Sequence, residues 1–424
     1  MRQAQRVAVV GAGWSGIAAA VEATLRGDSV TLFEMAQQCG GRARGFEIDG
    51  VWLDNGQHIM IGAYTEVLRL MRAVGADETQ LLLRTPLILR DAAGKGLELR
   101  PGPALVSFAQ AVARHPAWRW RDKLALMAQA ARWATSGFAC DESLDVATLT
   151  EQLPPDIRRE LIDPLCLAAL NTPSSLASAS VFLRVLRDSL FAVAGASDLL
   201  LPKVSLSELF PEPALRWLRR EGAVIRPSTR IHELRSAGES WSVDAMRFDR
   251  VVLATPPLEA ARLAQPHSTR WAQIARDMSF EPIVTVYAHS SGTHLAGPML
   301  ALQNDADRPA QFVFDRGQLG GPEGLLAFVV SGAADWVERG TSAVTRACLA
   351  QATEALALWL RGPLQPVQVL TEKRATFRCI PRLARPSMQI VAGLCAAGDY
   401  VAGPYPATLE GAVRSGVNAI RVLE

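Results

Sequence analysis

The chain has 424 residues, 49% of them hydrophobic and 20% charged, with a formal net charge of +2. That mix excludes a disordered chain, and the length suits two interlocked domains rather than one core. A near-neutral balance without a Lys/Arg-rich tract argues against nucleic acid as a partner, and six scattered cysteines without zinc spacing fit a reduced, cytoplasmic protein with no structural metal.

Residues 1–6 are short and polar and lead straight into an apolar run, so no signal peptide is expected. No stretch of 18 uncharged apolar residues occurs to span a membrane. Residues 6–10 read as a buried strand, 14–26 as a helix and 29–33 as a second strand, a βαβ unit that opens a parallel sheet. A helix is expected at 64–74 and a hairpin at 87–99. From 101 to 200 the texture is helical, at 104–114, 120–135, 155–170 and 177–193, and a further helical stretch closes the region at 202–221. Strands are expected at 223–234, 248–254, 280–289, 311–314, 325–331, 367–377 and 390–397, with helices at 342–360 and 408–423. The fold class is α/β. A Rossmann-like domain is assembled from the separated segments 1–100, 205–270 and 385–424, and an α+β substrate domain with a helical cap occupies 101–204 and 271–384.

Gly11-Ala12-Gly13-Trp14-Ser15-Gly16 fits G-x-G-x-x-G between a strand and a helix. Gly11 permits the turn, Gly13 lets a pyrophosphate approach the backbone, and Gly16 allows close helix–strand packing. Trp14 and Ser15 open the helix on the same loop. Glu34 follows at the end of the second strand, where a carboxylate accepts bonds from ribose hydroxyls and repels a 2′-phosphate. FAD and NAD both satisfy that pattern. Gly40-Gly41-Arg42 can add amides and a guanidinium to a diphosphate, or form a turn with a solvated arginine.

These strings, with Asp54-Asn55-Gly56-Gln57-His58, residues 226–234 around Ile231, residues 250–257, Ala397-Gly398-Asp399-Tyr400 and Leu409-Glu410-Gly411-Ala412, resemble the motifs of the amine oxidase and phytoene desaturase superfamily of FAD enzymes. The resemblance runs the length of the chain. It implies non-covalent FAD, with Gly56, Gln57 and His58 bordering the ring, Ile231 near adenine, and Gly398 and Asp399 at the ribityl and diphosphate region. Leu409, Glu410 and Ala412 would start a helix aimed at the pyrimidine edge. Within the superfamily, residues 11–14, 54–64, 163–173, 372–377 and 405–411 resemble the bacterial hydroxysqualene dehydroxylases. That likeness implies a long apolar isoprenoid substrate and an electron donor that the sequence does not identify. A carotenoid-type desaturase and a flavin-binding carrier without turnover are the rival readings.

Replacing an allylic C–OH by C–H needs a proton donor beside the hydroxyl. His58 is the candidate by position, although a histidine that orients the loop is the more common use of that residue in such a place. Asp163 precedes Pro164 in an apolar helix. It would serve if buried, and otherwise caps the helix or pairs with Arg158 or Arg159. Tyr405 could donate a proton or pack over the ring. Trp118, Trp120 and Trp133, interleaved with Arg114, Arg119, Arg121, Lys123 and Arg132, suit peripheral docking on the inner face of the cell membrane, or a helix packed on the domain with its arginines in water.

Overall fold

The computed structural model describes residues 3–48, 50–100 and 102–423. Residues 1, 2, 49, 101 and 424 lie outside the described residues, including the first two of the expected polar opening and of the first domain segment.

The Val-Ala-Val-Val core of Arg6–Val10 is wholly buried, as befits a strand covered on both faces. It lies in a six-stranded sheet ordered Val224–Arg226, Ser29–Phe33, Arg6–Val10, Arg250–Leu253, Leu394–Ala396 and Gln389–Val391. The first five strands are parallel and the last is antiparallel. From Arg6–Val10 the chain steps first to one neighbour and later to the other. The carboxyl ends of Arg6–Val10 and Arg250–Leu253 therefore flank a topological switch point, where ligands bind in open α/β sheets. Helices Trp14–Leu25 and Leu409–Val422 cross in close contact: a Cβ on Gly416 would stand 2.0 Å from the Ser15 carbonyl oxygen.

A second sheet has the antiparallel order Met299–Ala301, Phe312–Asp315, Leu325–Val330, Phe280–His289 and Gln365–Phe377. Between the first sheet's segments stand the helices Ala104–Arg114, Trp120–Thr135, Asp163–Leu170 and Ala179–Leu190.

Four expected elements differ. The strand expected at 223–234 stops at Arg226, because Pro227 offers no N–H and Ser228 adopts a φ of 53°. Leu234–Ala237 instead begins a separate three-stranded meander. The strand expected at 390–397 is a hairpin of Gln389–Val391 and Leu394–Ala396, turned by Gly393 at φ 74°. The helix expected at 155–170 contains a π turn, Arg158–Ile162, just before Pro164, whose missing N–H breaks the regular α ladder. The helical stretch expected at 202–221 is two helices, Leu206–Leu209 and Pro211–Arg220, divided at Pro211. It follows an unexpected strand, Leu199–Pro202, which pairs with Met60–Ile61 and Leu82–Thr85.

Candidate active site

One cavity of about 1320 Å³ runs from the switch point of the parallel sheet to the helical region. That exceeds the roughly 300–1000 Å³ of ordinary small-molecule sites, so it has room for a cofactor and a substrate together. Gly11, Gly13, Trp14, Ser15, Glu34, Gly41, Arg42, Gly56, Gln57, His58, Ile231, Gly398, Asp399, Tyr405, Leu409, Glu410 and Ala412 all line it, so the sequence candidates converge.

At the sheet end, Gly11 turns at φ 104°, and a Cβ there would stand 2.5 Å from the Ala254 carbonyl oxygen. Gly16 is not on the cavity wall. Its Cβ would meet the Gly11 carbonyl oxygen at 1.8 Å, so it serves the turn by the close packing expected of it. Gly13 leaves room: the nearest atom to a methyl added there would be the Gly41 Cα at 3.8 Å. The helix that starts there has no side-chain cap and no acidic residue in its first turn, which suits an anion. Glu34 accepts from the Ala12 amide at 2.7 Å and the Ala36 amide at 2.9 Å, so it braces the turn while lining the cavity.

Arg42 is more committed than its sequence suggests. It reaches Asp399 at 2.6 Å and donates to the carbonyls of Arg374 and Ala375, tying the first segment to the last. Ile231 lines the cavity while its carbonyl accepts from Arg262 at 2.7 Å. The 54–58 loop is held from three sides. Asp54 accepts from the Leu206 amide, Asn55 bonds Glu372, and Gln57 lies between Tyr287 and Arg316. Glu410 lines the wall, but its carboxylate is occupied. It accepts from the amides of Glu66 and Val67, both at 3.0 Å, and from Arg414 at 2.6 Å, capping helix Thr65–Ala73 from another element. Its side chain is thus held by protein groups, while its place on the wall at the start of Leu409–Val422 is the one the sequence implied.

The proton-donor candidates separate. Asp163 is exposed, lies off the cavity wall and bonds the Ser174 hydroxyl; Arg159 pairs with Asp156 and Glu160 instead. The helix turns Pro164 and Leu165 inward and Asp163 outward, which corrects its catalytic candidacy. His58 is on the wall, with Nδ1 at 3.1 Å from the Gly56 carbonyl oxygen. Burial, followed in size by the opposing bond to Gly56, holds its imidazole below its ordinary range. A neutral ring whose Nδ1–H donates to that carbonyl presents an acceptor at Nε2, not a proton. Tyr405 is on the wall beside Arg184 and Arg414.

Arg385, off the cavity wall, carried no sequence signal. Arg385 donates to the carbonyls of Asp399, Tyr400, Val401, Gly403 and Tyr405, fixing the loop that carries the closing motif. The buried Thr255 Oγ1, Thr285 Oγ1 and Tyr400 Oη have no partner among the described residues and line the cavity. Such orphans mark where a polar ligand belongs. With the open Gly13 and the uncapped helix, they fit the polar edge of a flavin dinucleotide. Beyond them the wall turns apolar, with Leu165, Phe182, Leu186, Leu190, Met299 and Phe312.

Trp118 is buried and donates to Glu160 at 2.8 Å, and Trp133 is buried as well, so of the three tryptophans only Trp120, 67% exposed, is at the surface. This corrects the expectation that Trp118 would meet a membrane. No helix among the described residues is long and apolar enough to cross one.

A glycine turn at a sheet switch point, a ribose-side carboxylate and a closing acidic motif converging on one cavity define an FAD-dependent oxidoreductase of α/β fold. The chain belongs to the flavin containing amine oxidoreductase family, whose sequence pattern matches residues 14–423. It is 28% identical to a hydroxysqualene dehydroxylase of Sinorhizobium fredii, over 98% of this chain and 97% of that one. It is 25% identical to a hydroxysqualene dehydroxylase of Zymomonas mobilis, over 97% of each. Among solved structures it resembles an oxidoreductase from Methanosarcina mazei, with a TM-score of 0.73 and 14% identity over 98% of this chain and all of that one.

Proposed function

We propose that the protein removes the hydroxyl of hydroxysqualene to give squalene, a step toward hopanoids, with FAD held non-covalently. The observation that carries this reading is the continuity of the cavity: one volume joins the dinucleotide turn to an apolar chamber, in a chain similar over nearly its whole length to two hydroxysqualene dehydroxylases. Reduced FAD supplies hydride when bound. Gly13, Glu34, Gly41, Ile231, Gly398 and Asp399 would hold the dinucleotide, and the 54–58 loop and the start of Leu409–Val422 would border its ring. The apolar chamber would exclude water from the chain of the substrate. Cys379 lies off the cavity wall with its thiol pushed up to about 12 by burial, which suits a flavin that carries no covalent link.

Residues 1–100, 205–270 and 385–424 would form the FAD-binding unit, with 101–204 and 271–384 as the substrate unit. Peripheral docking on an anionic membrane would follow from helix Trp120–Thr135. Its outward arc carries Trp120, Leu124, Ala128 and Ala131, flanked by Arg121 and Arg132, and the exposed Ala117 just before it lies on the cavity wall. The decisive experiment incubates purified protein and reduced flavin with hydroxysqualene. Squalene as product, and FAD released by acid precipitation, support the proposal. Conjugated polyenes from a carotenoid precursor, with hydroxysqualene untouched, would favour the desaturase alternative and overturn it.

A further inference from the structure

Helix Ala179–Leu190 brings Asp188 and Ser189 to the cavity wall that Tyr405 also lines, and Arg184 beside the Tyr405 ring. Arg184 donates to Asp188 at 2.6 Å. Its guanidinium carbon lies 5.5 Å from the Tyr405 ring, and Arg414 approaches the same ring at 5.5 Å. Asp188 is a fixed anchor. Burial opposes its charge, but bonds from Arg184 and Arg187 hold its carboxyl below the usual carboxylate range. Arg414 is anchored in turn by Glu410 and Thr65. Tyr405 therefore sits between two guanidiniums that are each held by other groups, one turn before the helix that starts at Leu409.

Resting on the dehydroxylase reading, we infer that Tyr405 is the proton donor to the departing hydroxyl and that Arg184, positioned by Asp188, orients it. No side-chain hydrogen bond to the Tyr405 hydroxyl is seen among the described residues, so its one phenol proton is free to point at a substrate oxygen in the cavity that the residue lines. The Arg184 and Arg414 charges, each 5.5 Å from the ring, already stand beside the group that becomes negative once the proton leaves. The bookkeeping of atoms closes: the phenol O–H bond breaks as the proton joins the substrate oxygen, the C–O bond breaks and water leaves, and the hydride named above makes the new C–H bond. The phenolate regains its proton from solvent, which the partly exposed Arg184, Tyr405 and Arg414 admit. The other two candidates lack this arrangement, since the His58 Nδ1 is spent on the Gly56 carbonyl, and Asp163 is off the cavity wall.

The test uses the FAD-loaded protein and the variants Tyr405→Phe, Arg184→Gln, Arg184→Lys and Asp188→Asn. Tyr405→Phe should keep its flavin spectrum and melting temperature, because Arg385 holds this residue by its carbonyl at 2.7 Å. Its kcat should fall by a factor of about 10² to 10⁴ while KM changes little. Competition binding to the oxidised protein gives a second readout that needs no turnover: the preference for hydroxysqualene over squalene should fall at least several-fold. Arg184→Gln and Asp188→Asn should lose kcat in the same direction, with Arg184→Lys recovering part of it. Tyr405→Phe turning over at the wild-type rate, or keeping the wild-type binding preference, overturns the inference. A wild type that leaves hydroxysqualene untouched fails the dehydroxylase reading instead, and the binding preference still decides the role of Tyr405.

Discussion

Replacing Glu410 separates a structural carboxylate from a cofactor ligand. The side chain is buried, 2% exposed, and its two oxygens accept from the Glu66 and Val67 amides and from Arg414. In Glu410→Ala both amides at the start of Thr65–Ala73 lose their acceptor. Each costs about 1–2 kcal/mol in a buried setting, whereas Arg414, one-third exposed and still bonded to Thr65, recovers most of its loss in water. The expected destabilisation is about 2–4 kcal/mol. A chain of 424 residues has an unfolding entropy near 0.9 kcal/mol/K at about 2.1 cal/mol/K per residue, so Tm should drop by roughly 2–4 °C. Glu410→Gln keeps one acceptor oxygen and should fall between wild type and Ala. Calorimetry on flavin-free protein is the assay, because it removes cofactor binding from the comparison. If flavin-free Glu410→Ala melts within about 1 °C of wild type yet no longer retains FAD, the capping argument is wrong and the carboxylate serves the cofactor.

Gly16→Ala should abolish flavin retention and lower the yield of folded protein, since its methyl would stand 1.8 Å from the Gly11 carbonyl oxygen; a yellow, normally melting variant would contradict the packing seen at the turn. Trp120→Ser combined with Leu124→Ser should reduce flotation with anionic liposomes by about tenfold or more, a loss of some 1.4 kcal/mol or greater, and unchanged binding would remove this helix from any membrane contact. His58 has its folded value depressed by burial, so the unfolded chain binds the proton more readily. Its contribution is complete above the ordinary value of about 6.5 and is lost as the pH falls below it, by at most about 1.4 kcal/mol per pH unit. His58→Gln should flatten that part of the acid limb in a denaturation series, and an unchanged limb would show that the ring is not desolvated.

The parallel sheet was legible because its signals are local. Apolar runs such as 6–10 and 29–33, with glycines at fixed offsets, force a turn and a switch point wherever they occur. The motifs scattered along the chain met in one cavity for the same reason, each lying at a strand end or helix start. What sequence could not show were side chains whose partners are distant. Glu410 reads as a motif residue until the Glu66 and Val67 amides are seen against it, 344 and 343 positions away. Asp163 and Pro164 are neighbours in sequence, yet only the proline faces the chamber, and the π turn before it sets that rotation. Trp118 and Trp120 look alike in a basic stretch. One is spent on Glu160 inside the fold, and the other is left in solvent.

A guanidinium carries five N–H groups, and on Arg385 each is matched to one main-chain carbonyl between Asp399 and Tyr405. A lysine, with three donors, would leave at least two of those oxygens unmet, so no other residue type can do this work. The clamp reads backbone only and is indifferent to what the loop displays. Tyr400 and Val401 are packed in the core, but the side chain at 405 can be exchanged while the loop keeps its course over the cavity. For an engineer, that makes position 405 the place to alter the chemistry presented to a substrate, and Arg385 the residue to leave alone.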